Sequence, residues 1–237
     1  MGYYNRGRNI PNIVITNING SIQSVMFPAF SNCQGDKIKL KSMVRRSIVT
    51  STYIIMPAMI GLAAVAEPLT VLLLTEKWLP SVPFMQFSCF ILAFWPIHTT
   101  NLQAINAVGR SDIFLKLEII KKIIGFSIMI ISIPYGLYTM MVGSCFSAII
   151  SSFLNASPNK KLLNYGYREQ IKDILPAMLL SLFMGGIVLI WTLFDLNKIA
   201  VLIFQIITGM TIYIGGSKLF KLESYNYIVE MVKSIKN

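Results

Sequence analysis

The sequence predicts an all-α, polytopic membrane helical bundle of about seven spans, and three observations carry that prediction. Hydrophobic residues make up 54% of the 237 positions and charged residues 13%, against about 25% charged in a soluble domain. The mean hydropathy is +0.63. Apolar runs comparable to the roughly 20 residues a helix needs to cross a bilayer recur along the chain, separated by short gaps rich in Pro, Gly, Asn and Asp. This composition argues against a soluble enzyme, a disordered chain and a collagen-like fibre. Cys33, Cys89 and Cys145 match no zinc spacing and read as free thiols.

The first span, about 9–30, is the least hydrophobic. Asn9, Asn12, Thr16, Asn19 and Gln23 follow steps of three and four, which places them on one helical face. Hydrocarbon would leave these amides without partners, so the stripe either lines a cavity for a polar cargo or packs against other helices. The second span, about 47–74, carries Pro57 and ends near Glu67-Pro68, with Trp78 just beyond it at the level of an interfacial aromatic belt. In the third, about 84–108, Thr99, Gln103, Asn106 and Arg110 again share a face. His98, the only histidine of the chain, reads first as a hydrogen-bonded structural residue, with a role in proton coupling or cargo contact as the alternative.

The fourth span, about 113–134, opens with Lys116, Glu118, Lys121 and Lys122, where Glu118 and Lys122 have the favoured i,i+4 spacing for an ion pair. Lys121 and Lys122 read either as snorkelling anchors or as a cationic site for a phosphorylated headgroup at the mouth of a cavity. Spans at about 137–156, 173–194 and 199–217 complete a membrane domain over 1–217, followed by a cytoplasmic tail at 218–237. The expected loops run from Asn32 to Asp36, Pro80 to Pro83, Gly109 to Asp112, Pro134 to Gly136 and Pro158 to Gly166.

The net charge of +11 is explained by topology rather than by nucleic acid, because the basic residues fall in the gaps between apolar runs. Lys37 to Arg46, Arg110, Lys160 to Lys172 and Lys218 to Lys236 fall on one side of the seven spans, against only Arg6, Arg8, Lys77 and Lys198 on the other. Cytoplasmic loops hold the excess of Lys and Arg, so the C-terminus is expected in the cytoplasm and the N-terminus outside. The first residues do not form a signal peptide. No phosphate-binding glycine loop, no Ser/His/Asp set and no metal-ligand cluster stands out, so a carrier without cofactor or metal is expected rather than an enzyme.

An ordered set of segments carries a family resemblance. Gly2-Tyr3-Tyr4-Asn5-Arg6-Gly7 and Ile22-Gln23-Ser24-Val25-Met26-Phe27-Pro28 are followed by Thr52-Tyr53-Ile54-Ile55-Met56-Pro57, Glu67-Pro68-Leu69, Thr75-Glu76-Lys77-Trp78, Asn101-Leu102-Gln103-Ala104, Gly109-Arg110-Ser111-Asp112 and Pro158-Asn159-Lys160-Lys161-Leu162-Leu163-Asn164-Tyr165-Gly166. Together they resemble the lipopolysaccharide and oligosaccharide flippases of the multidrug/oligosaccharidyl-lipid/polysaccharide exporter superfamily. The resemblance implies a multi-pass carrier of the bacterial inner membrane that turns an undecaprenyl-pyrophosphate-linked oligosaccharide across the bilayer between two rocking helical lobes. It covers only the C-terminal lobe, so a separate N-terminal lobe or glycan-assembly proteins are expected partners, beside membrane lipids and the lipid-linked oligosaccharide. Alternatives are an exporter of another cargo and a non-transporting scaffold of glycan assembly. The cavity candidates are Arg6, Arg8, Asn12, Thr16, Asn19, Gln23, His98, Gln103, Asn106, Arg110, Lys121 and Lys122.

Overall fold

The computed structural model describes residues 2–33, 35–194 and 197–236, with the side chains at 19, 21–25, 27, 231, 232 and 234–236 outside the description. Every element of regular structure among the described residues is helical: α1 (Gly2–Ser31), α2 (Lys37–Ala64), α3 (Ala66–Leu74), α4 (Val82–Ala93), α5 (Trp95–Ala107), α6 (Ser111–Ser132), α7 (Leu137–Leu163), α8 (Tyr167–Ile190), α9 (Lys198–Leu219) and α10 (Glu223–Lys236). Short 3-10 turns at Glu76–Ser81, Ile133–Tyr135 and Trp191–Leu193 join some of them. The helix ends follow local chemistry. Asp36 Oδ1 accepts the backbone amides of Ile38 (3.0 Å) and Lys39 (2.9 Å) and so caps α2. Asn197 caps α9 through the amide of Ile199. Asn164 takes the left-handed conformation, φ 51°, that closes α7.

Several expected boundaries move. The stretch from Lys37 to Arg46, which lies ahead of the expected second span, is the start of α2, because Leu40, Val44 and Ile48 recur at four-residue steps and are all fully buried. The expected second span breaks at Val65 into α2 and α3, and the third breaks at Phe94 into α4 and α5, with Pro96 in the first turn of α5, where its missing amide costs nothing. The segment from Pro80 to Pro83 is not a loop but a 3-10 turn running into α4. Pro158 lies inside α7, and the connection to α8 shrinks to residues 164–166. The tail at 218–237 contains the end of α9 and the helix α10. Among the described residues five segments are long and apolar enough to cross a membrane, at Lys37–Ala64, Glu76–Ala107, Leu137–Leu163, Tyr167–Leu193 and Lys198–Leu219. The other two expected spans are occupied by the long helices α1 and α6.

The chain divides into two compact units. The first comprises 1–14, 52–93 and 174–237. Its core is built on Ala177, Leu180, Met184 and Val188 of α8, with Tyr53, Ala64, Val65, Leu202 and Tyr213, and the start of α10 joins it through Tyr225 and Ile228. Here α3 packs against α9 and α4. A Cβ on Gly7 would stand 2.7 Å from the Ser81 carbonyl oxygen and 2.9 Å from the Met85 amide nitrogen, so α1 meets the 76–85 segment at backbone contact. The second unit comprises 15–51 and 94–173. Within it α6 packs along α7, and α5 packs against both. Exposed Leu115, Ile119, Ile123, Phe126 and Ile130 leave α6 an apolar outer face suited to hydrocarbon.

Candidate functional site

In the first unit, α2, α8 and α9 enclose an apolar groove of about 410 Å³. Its walls include Pro57, Leu62, Met184, Val188, Met210 and Ile214, with Val14 of α1 alongside. Ala58, Gly61 and Gly209 lack the side chains that would fill it. The polar groups in its lining are turned away: Tyr213 donates its hydroxyl to the Tyr53 carbonyl at 2.8 Å, and Gln205 donates its amide to the Val188 carbonyl at 3.2 Å. What remains is a surface that can hold a hydrocarbon chain and that offers a polar ligand little to bond.

The second unit has a polar interior instead. Asn101, Asn159 and Gln170 are all fully buried. Asn101 Oδ1 accepts from Asn159 Nδ2 at 2.6 Å and from Gln170 Nε2 at 2.8 Å, while Asn101 Nδ2 donates to Gln170 Oε1 at 2.8 Å. This closed amide set ties α5, α7 and α8 together where an apolar helix pair would be free to slide. Nearby, Arg45 of α2 grips Asp173 of α8 through two 3.1 Å bonds, and Tyr165 donates its hydroxyl to the same carboxylate at 2.7 Å. Burial, reinforced by the Asp173 carboxylate, pushes the Tyr165 phenol pKa up, so it remains a donor.

Of the expected site residues, Arg6, Arg8 and Asn12 belong to the first unit, and Thr16, His98, Gln103, Asn106, Arg110, Lys121 and Lys122 to the second. Arg6 is exposed and lies over the Trp78 ring, 5.3 Å from its centroid; Arg8 stands over Tyr4 and donates to its hydroxyl at 2.6 Å. These contacts use the guanidinium planes locally. Asn12 is half-buried and Thr16 exposed, whereas the side chains of Asn19 and Gln23 lie outside the described residues. His98 meets Asn155 through Nδ1 at 3.2 Å and also hydrogen-bonds the Ala148 backbone, the arrangement of a structural histidine. Gln103 and Asn106 are half-buried on α5. Arg110 is exposed and closes on Asp112 with two 2.8 Å bonds, which hold that carboxyl down at about 2. The expected Glu118–Lys122 pair is replaced by Glu118–Lys121 at 2.6 Å: the i,i+3 partner is half-buried beside the carboxylate, and Lys122 is exposed. Among the described residues no group of three or more His, Cys, Asp or Glu gathers to hold a metal.

The comparisons agree with this architecture. Residues 1–83 match a family model described as a polysaccharide biosynthesis protein. The chain is 28% identical over 156 residues to an uncharacterized membrane protein in the cps region of Klebsiella pneumoniae, a match covering 66% of the chain and 32% of that relative. It is 27% identical over 193 residues to the lipopolysaccharide biosynthesis protein WzxC of Escherichia coli K12, covering 78% of the chain and 39% of the relative. A third relative, the teichuronic acid biosynthesis protein TuaB of Bacillus subtilis, is 26% identical over 117 residues, or 48% of the chain and 23% of that protein. The matched parts thus span well under half the length of these relatives. Lipid II flippase MurJ in an inward closed conformation has the same fold, with a TM-score of 0.76 at 20% identity over 96% of this chain and 48% of that one.

Proposed function

We propose, from the premise that this chain is a member of the polysaccharide-transporter family with a flippase-like membrane fold, that it supplies one helical lobe of a carrier translocating a lipid-linked oligosaccharide. The observation that carries the reading is the apolar groove of the first unit, whose walls suit a polyprenyl chain. Inside a bilayer such a chain exchanges lipid tails for walls that are equally apolar, so its retention rests on van der Waals packing in the groove rather than on loss of water. The cargo is taken to be an undecaprenyl-pyrophosphate-linked oligosaccharide, whose lipid would occupy the groove while its charged headgroup and sugar are moved by the complete carrier.

A polyprenyl diphosphate bearing a photoactivatable group near the far end of its chain tests this. Illumination is expected to label α8 or α9 at the groove, at residues such as Val188 or Met210. Replacing Gly209 with Leu is expected to abolish that labelling while the melting temperature in detergent shows the protein still folded. Labelling spread evenly over all exposed apolar helix faces, unchanged by the substitution, would refute the groove as the lipid site.

A further inference from the structure

The second unit gathers cations from three segments far apart in the chain. Lys37 and Lys39 stand in the first turns of α2, Lys160 and Lys161 in the last turn of α7, and Arg168 and Lys172 in the first turns of α8. All six are exposed. Lys41 binds the Asn164 carbonyl, lies 3.7 Å from Glu169 and stands over the Tyr165 ring, while the Arg45–Asp173 pair holds α2 against α8. The alkyl stem of Lys160 lies over Gly166, within 3.3–3.4 Å of where a Cβ would stand. The three basic segments therefore form one rim.

The acids in these segments are engaged. Asp36 caps α2, Glu169 faces Lys41, and Asp173 is held by Arg45 and Tyr165. Helix stability does not account for the rest. Lys160 and Lys161 suit the C-terminus of α7, but Lys37, Lys39 and Arg168 stand in the first turns of α2 and α8, where the macrodipole opposes a cation and favours an anion. Cations set against the dipole at two neighbouring helix starts, beside two more at a helix end, make a surface complementary to phosphate.

We propose that this rim binds the phosphate of an anionic phospholipid headgroup, so that the protein is fastened to, and responds to, the charge of the leaflet it faces. The rim belongs to the second unit and the lipid groove to the first, and the proposal does not require that translocation be correct. Native mass spectrometry of the full 237-residue chain in neutral detergent, titrated with dihexanoylphosphatidylglycerol or dihexanoylphosphatidylcholine, reads it directly. The anionic lipid with the glycerol headgroup, dihexanoylphosphatidylglycerol, is expected to bind more tightly than the zwitterionic choline lipid, with the preference shrinking as salt rises. Lys160→Gln, Lys161→Gln and Arg168→Gln together are expected to weaken that binding by about fivefold for each cation removed. Lys77→Gln with Lys116→Gln, which removes two exposed cations outside the three basic segments, is expected to leave it unchanged. Equal binding of the two lipids, equal loss in both variants, or retention in the rim variant would overturn the proposal. Binding of inorganic pyrophosphate without binding of the glycerol lipid would overturn it too, assigning the rim to a diphosphate. A melting temperature measured for each variant separates lost binding from lost fold, and a flipping assay is not needed for any arm.

Discussion

Asn101 illustrates how much one buried side chain can decide. It receives from Asn159 and Gln170 and donates to Gln170 and to the Ile97 carbonyl. Replacing it with Leu removes all of these side-chain bonds at once; Asn159 Nδ2 keeps the residue-101 carbonyl and Gln170 Nε2 the Tyr165 carbonyl, each at 3.3 Å, but Gln170 Oε1 loses its donor, at a cost of about 1–3 kcal/mol for an unsatisfied buried group. Asn101→Leu is therefore expected to lower the melting temperature in detergent, followed by circular dichroism, more than Asn106→Leu, whose side chain is half-buried. A second residue-scale prediction concerns Asp112. Its carboxyl is held at about 2 by the Arg110 guanidinium, below its ordinary 3.8. The folded form thus favours the carboxylate, and the associated stabilisation is present above the ordinary value and is lost as pH falls through about 2. Arg110→Gln is expected to move the Asp112 titration, read by carbon NMR of labelled aspartate, back up toward that ordinary value. An unmoved titration would show that the pair is not formed in solution.

At the scale of elements, Gly7 sets how closely α1 approaches the 76–85 segment. Because the obstacles to a Cβ there include backbone atoms, Gly7→Val cannot be absorbed by a rotamer change, and a penalty of about 1–3 kcal/mol is expected. Faster amide hydrogen exchange at the start of α1 would register it. The helices themselves were legible in the sequence, as were the turns near Asn32, Gly109 and Pro134, because apolar runs and breakers are local signals. Pro158 misled for a physical reason: a proline inside a membrane helix is tolerated where neighbouring groups satisfy the freed carbonyl. The charged start of α2 misled too, since Asp36 and the Leu40, Val44 and Ile48 stripe outweigh the lysines between them. The choice of Lys121 over Lys122 depends on side-chain rotamers and neighbours, which spacing does not encode. The groove and the Arg45–Asp173 pair were not readable at all, because they join helices more than a hundred residues apart in the chain. Ion pairs of this kind couple measurably: a double-mutant cycle of Arg45→Met and Asp173→Asn is expected to give an interaction of about 0.5–3 kcal/mol.

For the molecule as a whole, family likeness and the MurJ-like fold agree on a multi-pass membrane protein related to polysaccharide biosynthesis proteins. The chain matches less than half the length of its relatives and 48% of MurJ, and a carrier of two lobes works by moving one against the other. Its two units differ in chemistry: one offers hydrocarbon contact, the other a polar interior with a basic rim. The charge asymmetry of the sequence predicts that a reporter fused after Asn237 gives a cytoplasmic signal; a periplasmic one would invert the orientation. Lipid carriage through the groove is tested most directly by a flipping assay in proteoliposomes with a fluorescent undecaprenyl-diphosphate oligosaccharide, using this chain alone and together with a complementary N-terminal lobe. Translocation by the pair, lost when Gly209→Leu fills the groove, is the predicted result. A pair that folds and assembles yet never moves the lipid, or that moves it equally well with the groove filled, would contradict the account.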